Sequence, residues 1–106
     1  MMTRLDTVLY EVTLHVDPTL ASELEDHMRR DHIPAIFRTG CFRRIRFDAT
    51  ASGTFRTCYQ ADTQEDLDRY LRDHAPRLRA EFQARFPRGV TLSREIWRPH
   101  ESWEIR

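Results

Sequence analysis

The chain has 106 residues, which is enough for one domain with a single hydrophobic core. Apolar residues make up 40% of the chain and charged residues 32%, a composition that excludes an intrinsically disordered protein. The 17 basic and 17 acidic residues give a net charge of zero, which excludes a global attraction to nucleic acid or an anionic membrane. We therefore expect one domain over residues 1–106, with a core over about 8–97 and a tail over 98–106.

Targeting and cofactor signals are missing from the sequence. No apolar run approaches the length of a membrane span, and Met1–Asp6 contains no apolar signal core, so we predict a cytoplasmic protein without a membrane partner. The chain contains no lysine and no Gly-rich loop, which predicts no pyridoxal or nucleotide cofactor. Cys41 and Cys58 are the only cysteines, and in a cytosolic chain we expect free thiols.

The first predicted strand covers residues 8–16, where apolar and polar side chains alternate. A helix should follow Asp17-Pro18, because an aspartate before a proline is typical of a helix start. Its apolar stripe consists of Leu20, Leu24, Met28, His32 and Ile36. We expect Pro34 to interrupt this helix, since proline removes a backbone donor and disfavours helical geometry at Ile33.

A hairpin, a second helix and a fourth strand follow. Residues 41–48 and 54–62 are the predicted hairpin strands. The stripe of the second helix consists of Leu67, Leu71, Ala75, Leu78, Phe82 and Phe86. Pro76 is expected to kink or restart that helix. Residues 90–97 form the last predicted strand, and a tail that contains Trp103 comes after it.

The resulting order of elements is β-α-β-β-α-β. Because crossovers between strands of one sheet are right-handed, this order predicts an α+β fold, the ferredoxin-like plait. We expect an antiparallel four-stranded sheet with two helices on one face. Two similar phrases, Asp31-His32-Ile33-Pro34 and Asp73-His74-Ala75-Pro76, suggest an internal pseudo-repeat.

Two helices cannot cover both faces of such a sheet. The alternation leaves apolar and charged side chains on the open face: Leu9, Glu11, Thr13, His15, Phe42, Arg44, Arg46, Arg56, Cys58, Thr91, Ser93, Glu95 and Trp97. An uncovered aromatic patch favours association. We therefore predict a homodimer through the open sheet face, or dimeric α/β barrel, with Trp97 and Trp103 as anchors.

Several short phrases occur in an order that resembles one known family. They are His32-Ile33-Pro34, Thr39-Gly40-Cys41-Phe42, Tyr59, Leu67-x-x-Tyr70-Leu71, Ala75-Pro76-x-Leu78-Arg79 and Phe86. From about Leu9 to Trp97, the chain is similar to domain-of-unknown-function family 4286, a family of small bacterial proteins. Cys58 stands where that family often has glutamine.

That family is similar to the dimeric α/β-barrel group, so the resemblance implies a plait that dimerises sheet to sheet. Some members of the group are cofactor-free monooxygenases, isomerases or decarboxylases. The resemblance implies no catalytic residue for this chain.

The candidate ligand site is a cavity between the sheet and the helices. Tyr10 and Tyr59 point to the helix side on the alternation, and His32 lies on the stripe of the first helix. With Tyr70 and His74 they would line such a cavity. His32 and Tyr59 are the candidate catalytic residues, because the reference pKa of histidine lies near neutrality. The alternative is a structural one, with core tyrosines and a helix-end histidine that bonds backbone carbonyls.

Two other polar clusters give weaker hypotheses. His27, Asp31 and His32 resemble a metal-binding set, but residues five apart lie about 140° apart around an α-helix, so we predict no metal site. Asp31 and Asp73 each precede a histidine, but adjacent helical side chains point about 100° apart, so neither aspartate orients its neighbour.

Four arginines cluster on the predicted hairpin, namely Arg43, Arg44, Arg46 and Arg56. A plait with basic and aromatic strands can bind RNA. The zero net charge and the missing RNA-binding strand motif instead favour ion pairs with acids at a dimer seam, so we predict no nucleic-acid partner.

These observations predict a small homodimer without a cofactor that binds a small ligand or acts as an accessory or sensor protein. No convergent set of acid, base and nucleophile is present. The alternative is a cofactor-independent enzyme of the dimeric-barrel type, such as a monooxygenase, isomerase or decarboxylase acting on a small aromatic or enolic substrate. In that enzyme His32 would be the acid or base, and Tyr10 or Tyr59 would orient the substrate.

Overall fold

The computed structural model of the chain describes residues 6–105 and has strands β1 (Val8–Val16), β2 (Arg44–Ala49), β3 (Thr54–Ala61) and β4 (Val90–Trp97). They form one antiparallel sheet with the spatial order β2-β3-β1-β4. With helices in both crossovers, this order confirms the predicted ferredoxin-like β-α-β-β-α-β plait.

The first crossover is a continuous helical run of changing pitch. It consists of a 3-10 turn (Pro18–Leu20), helix α1 (Ala21–His27), a π-helical segment (Met28–His32) and helix α2 (Ile33–Phe37). The Asp17 side chain caps the start of the run by accepting a hydrogen bond from the Thr19 N–H at 2.9 Å.

The prediction that Pro34 interrupts this helix is wrong. Ile33 keeps helical backbone angles of φ −64° and ψ −45°, and its N–H donates to the carbonyl of Met28, five residues back. A proline ring collides with the carbonyl four residues before it and offers no N–H. The wider π-helical turn absorbs this mismatch, so the run continues to its end without a break.

The second crossover consists of α3 (Gln64–Asp73) and α4 (Ala75–Arg85), which are separated at His74. His74 leaves helical geometry, with a φ of −124°. Pro76 occupies the first turn of α4, where a missing N–H removes no helical hydrogen bond. The predicted restart of the helix is therefore confirmed. Within residues 6–105, no helix is long and apolar enough to cross a membrane.

The core lies between the helices and one face of the sheet, which we call the helix-side face. The strand residues buried there are Val8, Tyr10, Leu14, Phe55, Thr57, Tyr59 and Ala61. These residues have the parity that the alternation predicts. Leu24, Leu67 and Leu78 of the helices are buried in the same core clusters. Burial of these apolar side chains is the main favourable contribution to folding.

β2 begins at Arg44 rather than at residue 41. Phe42 therefore lies outside the strand alternation, and the prediction that it faces the open side of the sheet is wrong. Its ring is buried in the core, with its centroid 5.2 Å from that of Tyr59 and 4.9 Å from that of Tyr70. Cys41 is buried in the same cluster, and both cysteines of the chain are free.

β4 is an edge strand whose side chains are exposed on both faces after Val90. Its pairing with β1 places Arg94 opposite Val12, on the helix-side face. The start of β4 is fixed by a hydrogen bond from the Asp17 N–H to the Gly89 carbonyl at 2.7 Å. The edge strand thus borders the space between the two layers.

Candidate functional site

A cavity of about 360 Å³ lies between the helices and the helix-side face of the sheet. Its wall consists of Tyr10, Val12, Leu14, Met28, His32, Ile36, Tyr59, Tyr70, Arg79, Phe82, Gln83, Phe86, Val90, Leu92 and Arg94. Most of these side chains are apolar or aromatic, and a few polar groups converge among them. This composition and this volume are typical of small-molecule sites.

Three tyrosines from three elements form one part of the wall. The ring centroids of Tyr10 and Tyr59 are 5.7 Å apart, and those of Tyr10 and Tyr70 are 6.3 Å apart. Tyr10 and Tyr59 are direct cross-strand partners, so their side chains project to the same face. Burial raises the pKa of Tyr70 to about 12 and also raises the pKa of Tyr59 well above its ordinary value. Both phenols are therefore protonated donors at neutral pH.

His32 lies at the end of the π-helical segment and contributes an imidazole to the cavity wall. Its ring centroid is 5.2 Å from that of Phe82 and 6.2 Å from that of His27. Burial, assisted by the nearby His27, lowers the pKa of His32 to about 4. The imidazole is therefore neutral at physiological pH, with one nitrogen able to accept a hydrogen bond or a proton.

The π-helical segment brings His27 and His32 together, and the expected separation of the two imidazoles is wrong. In an α-helix, residues five apart point in different directions, whereas a π-helical turn closes between residues five apart. The two rings stack with an interplanar angle of 28°. The Asp31 carboxylate lies 3.4 Å from Nδ1 of His27. The described part of the chain nevertheless contains no cluster of three or more side chains that could hold a metal ion.

Two arginines that the sequence analysis did not assign to the site belong to the cavity wall. Nη2 of Arg79 on α4 donates a hydrogen bond to the Tyr10 hydroxyl at 2.9 Å. Arg94 reaches the cavity from the edge strand. Both cations oppose the rise that burial causes in the pKa of Tyr70, as positive charges near a phenol should.

The structure brings Tyr10, His32 and Tyr59 to one cavity and leaves His74 out of its wall. His74 separates α3 from α4, and its ring lies 6.4 Å from that of Tyr70. A signal for Arg94 was present in the sequence, because its position in β4 has the parity of Val90, Leu92 and Ile96. A charged residue in such a series indicates a special environment. No comparable pattern marks Arg79.

Several charged groups of the open face form ion pairs within the chain. Nη2 of Arg56 lies 3.0 Å from the Asp48 carboxylate, and its Nε lies 3.9 Å from Glu11. Nε of Arg46 contacts the same aspartate at 3.2 Å. These arginines therefore have acidic partners within the same chain, whereas the predicted partners were acids at a dimer seam.

Several solved structures share this fold. The chain is similar to SnoaB, a cofactor-independent oxygenase from Streptomyces nogalater, with 13% identity, a TM-score of 0.73 and coverage of 92% of this chain and 96% of that one. It is similar to a monooxygenase from Streptomyces coelicolor in complex with nanaomycin D, with 18% identity, a TM-score of 0.71 and coverage of 97% and 95%. A protein from Mycobacterium tuberculosis has 16% identity, a TM-score of 0.66 and coverage of 92% and 99%. These likenesses show the fold alone, an α+β ferredoxin-like plait.

The sequence also matches a family directly. The model of the family described as "Domain of unknown function (DUF4286)" matches residues 7–99. The chain belongs to this family, which confirms the resemblance noted from its short phrases. No curated protein sequence matches the chain.

Proposed function

We propose that this protein is a homodimer that binds one small, planar aromatic molecule in the helix-side cavity of each protomer. The observation that supports this most strongly is the composition of the cavity wall, which combines aromatic rings with a neutral imidazole and two arginines. Aromatic rings favour a flat ligand, because stacked and edge-to-face contacts between rings add to the burial of apolar area. The few polar groups would fix the orientation of the ligand.

The open face of the sheet supports the dimeric part of the proposal. Trp97 is 52% exposed there, beside Leu9, its direct partner on β1. A second copy related by a two-fold axis would bury both side chains and their counterparts. A large exposed aromatic side chain on a mixed sheet face is typical of an interface anchor.

Native mass spectrometry of the purified full chain tests the dimer and reports any retained small molecule. We expect a dimer for the wild type and a monomer for Trp97→Ser. The matched control is Phe37→Ser, because Phe37 is 54% exposed but lies on α2 in the helix layer. A monomeric wild type, or a Trp97→Ser variant that dimerises as well as the wild type, would contradict the proposed interface.

Ligand binding is tested with neutral aromatic amides of one, two and three rings, namely benzamide, 2-naphthamide and anthracene-2-carboxamide. We expect calorimetric titration to detect binding of at least one of them by the wild type. Gln83→Trp should weaken that binding about tenfold or more, because Gln83 is exposed yet belongs to the cavity wall. Its exposed neighbour Ala84 is not part of the wall, so Ala84→Trp is the control. An equal effect of the two tryptophans would place the bound amide elsewhere.

One observation favours a second function, a cofactor-independent oxygenase: the neutral imidazole of His32 lines the cavity. A neutral imidazole can remove a proton from a phenol or enol, while the tyrosine hydroxyls orient the substrate oxygen. Two proteins of similar structure are oxygenases, one of them independent of a cofactor. In this function, dihydroxynaphthalenes would cause oxygen uptake that His32→Gln lowers about a hundredfold or more, with little change in binding. No uptake by the wild type would leave ligand binding as the function.

A further inference from the structure

Most arginines in the described chain are neutralised by an acidic side chain. Arg85 of α4 contacts Glu23 at 2.6 Å, and Arg46 on the open face contacts Asp48 at 3.2 Å. Such pairs leave little net charge at any one place on the surface. They agree with the net charge of zero for the whole sequence.

Arg79 and Arg94 of the helix-side cavity are among the described arginines that have no such pair. Among residues 6–105, neither Arg79 nor Arg94 has a carboxylate within 4.0 Å. No aspartate or glutamate of the described residues belongs to the cavity wall, and His32 is neutral at physiological pH. The wall therefore has two positive charges and no compensating negative charge. A guanidinium group beside an aromatic cavity attracts an anion more strongly than one in open water, because the local dielectric is lower.

The two arginines of the cavity wall come from different layers. Arg79 extends from α4 and is held by its hydrogen bond to the Tyr10 hydroxyl at 2.9 Å. Arg94 extends from β4, the exposed edge strand. Both residues line the cavity and are exposed overall, so this part of the wall is in contact with water. A flat ligand with its rings against the tyrosines would have its edge at this position.

We infer that the ligand of the cavity is an aromatic anion, whose charged oxygen atoms lie between Arg79 and Arg94 while its rings contact the tyrosines. A carboxylate fits this position best, because guanidinium groups bind carboxylates through two parallel hydrogen bonds. This inference rests on the proposed function of the cavity, and it adds the charge and the orientation of the ligand.

The first test compares each neutral amide with the carboxylate of the same ring system: benzoate, 2-naphthoate and anthracene-2-carboxylate. We expect calorimetric titration of the full chain at pH 7.5 to show about tenfold tighter binding of the carboxylate in each pair that binds. Raising the salt concentration from about 0.05 M to about 0.5 M should weaken binding of the carboxylate and leave binding of the amide unchanged, because salt screens exposed charges.

The second test removes the charges one at a time. Arg94→Gln and Arg79→Gln should each weaken binding of the carboxylate about fivefold, with little change in binding of the amide. Arg77→Gln is the control, since Arg77 lies on α4 outside the cavity wall and contacts Glu81 at 3.8 Å. Arg79→Gln also removes the hydrogen bond to Tyr10, so its melting temperature is compared with that of the wild type. If Arg79→Gln is unstable, the result for Arg94→Gln decides the test.

The outcomes separate this inference from the proposed function. Equal binding of amide and carboxylate, unchanged by Arg94→Gln, would overturn anion recognition and leave aromatic binding in place. Binding of no compound in either series would contradict both. A preference for the carboxylate that Arg77→Gln removes and Arg94→Gln does not would place the anion outside the cavity and also overturn the inference.

Discussion

The two faces of the sheet use arginine in different ways. On the open face, Arg46 and Arg56 share the carboxylate of Asp48 at 3.2 and 3.0 Å. On the helix side, Arg79 and Arg94 line a cavity together with aromatic rings, and no aspartate or glutamate among residues 6–105 belongs to its wall. Paired charges on a surface contribute little free energy and leave little local field. Arg79 and Arg94 therefore keep a local positive charge, whereas the charges of Arg46 and Arg56 are neutralised by Asp48.

The faces also differ in burial. Along β1, Tyr10 and Leu14 are 4% and 2% exposed on the helix side. Leu9 is only partly buried on the open face, beside the exposed Trp97. Within a single chain, the helix side should therefore contribute most of the stability, while the open face would gain burial if a second copy covered it.

Leu14→Ala and Leu9→Ala make the same change on opposite faces of one strand. We expect Leu14→Ala to lower the free energy of unfolding by about 2 to 5 kcal/mol, because it removes buried methyl groups and leaves a cavity. Leu9→Ala should cost less, about 1 kcal/mol. Urea denaturation measures the free energy of unfolding of both variants. Both carry Trp97→Ser as well, so that dissociation of a dimer does not contribute to the measured value. Equal losses would mean that burial in the single protomer is the same on both faces.

His32 predicts a pH dependence that belongs to the helix side. Its pKa of about 4 in the folded chain lies below the ordinary value of 6.5, so the unfolded chain takes up this proton first as the pH falls. The stability contribution of the neutral imidazole is complete above about pH 6.5 and decreases as the pH falls towards 4. The loss should be about 2 to 3 kcal/mol over that window, and His32→Gln should remove it.

Urea denaturation of the wild type and of His32→Gln at several pH values between 4 and 7.5 provides the measurement. The carboxylates that titrate in this range are the same in both chains, so the difference between the two curves isolates His32. Parallel curves would mean that the imidazole is solvated and titrates alike in the folded and unfolded chains. Such an outcome would remove the argument for a neutral base in the cavity.

The sheet and three residues of the cavity wall, Tyr10, His32 and Tyr59, could be predicted from the sequence, because the spacing of apolar residues along a strand or helix is a local pattern. A period of two decides the face of each strand residue, which placed Tyr10 and Tyr59 on the helix side. The helical stripe placed His32 in the same layer. Both patterns depend only on neighbouring residues, and so the sequence alone is sufficient for them.

The other features of the fold and the site depend on long-range contacts or on shifts in backbone hydrogen bonding, which no local sequence pattern shows. Pro34 is tolerated because the hydrogen-bond ladder of the helix shifts by one residue, and the same shift brings His27 and His32 together. The burial of Phe42 depends on where β2 begins. The contact of Arg79 with Tyr10 joins residues 69 positions apart, so it follows only from the assembled fold.

Thr57→Val should have the smallest effect and the opposite sign. Thr57 lies on the helix side of β3 and is fully buried, and within residues 6–105 its Oγ1 has no hydrogen-bond partner. It lies near the Tyr59 phenol, but the two hydroxyls are not placed for a hydrogen bond. Because a buried, unpaired hydroxyl is unfavourable, valine of similar shape should raise the free energy of unfolding by about 1 kcal/mol.

The control for this substitution is Thr13→Val on the open face, which should change the free energy of unfolding by less than about 0.5 kcal/mol. A loss of stability in Thr57→Val would show that its hydroxyl has a partner in solution, such as an ordered water. Calorimetric titration of both variants with 2-naphthoate then tests whether that partner lies in the core or beside the cavity. Unchanged affinity would make it part of the core, whereas weaker binding in Thr57→Val but not in Thr13→Val would connect the hydroxyl to the cavity. The helix side would then offer the ligand a buried hydroxyl in addition to the guanidinium groups of Arg79 and Arg94. Arg46 and Arg56 on the open face offer no such group, because their charges are paired with Asp48.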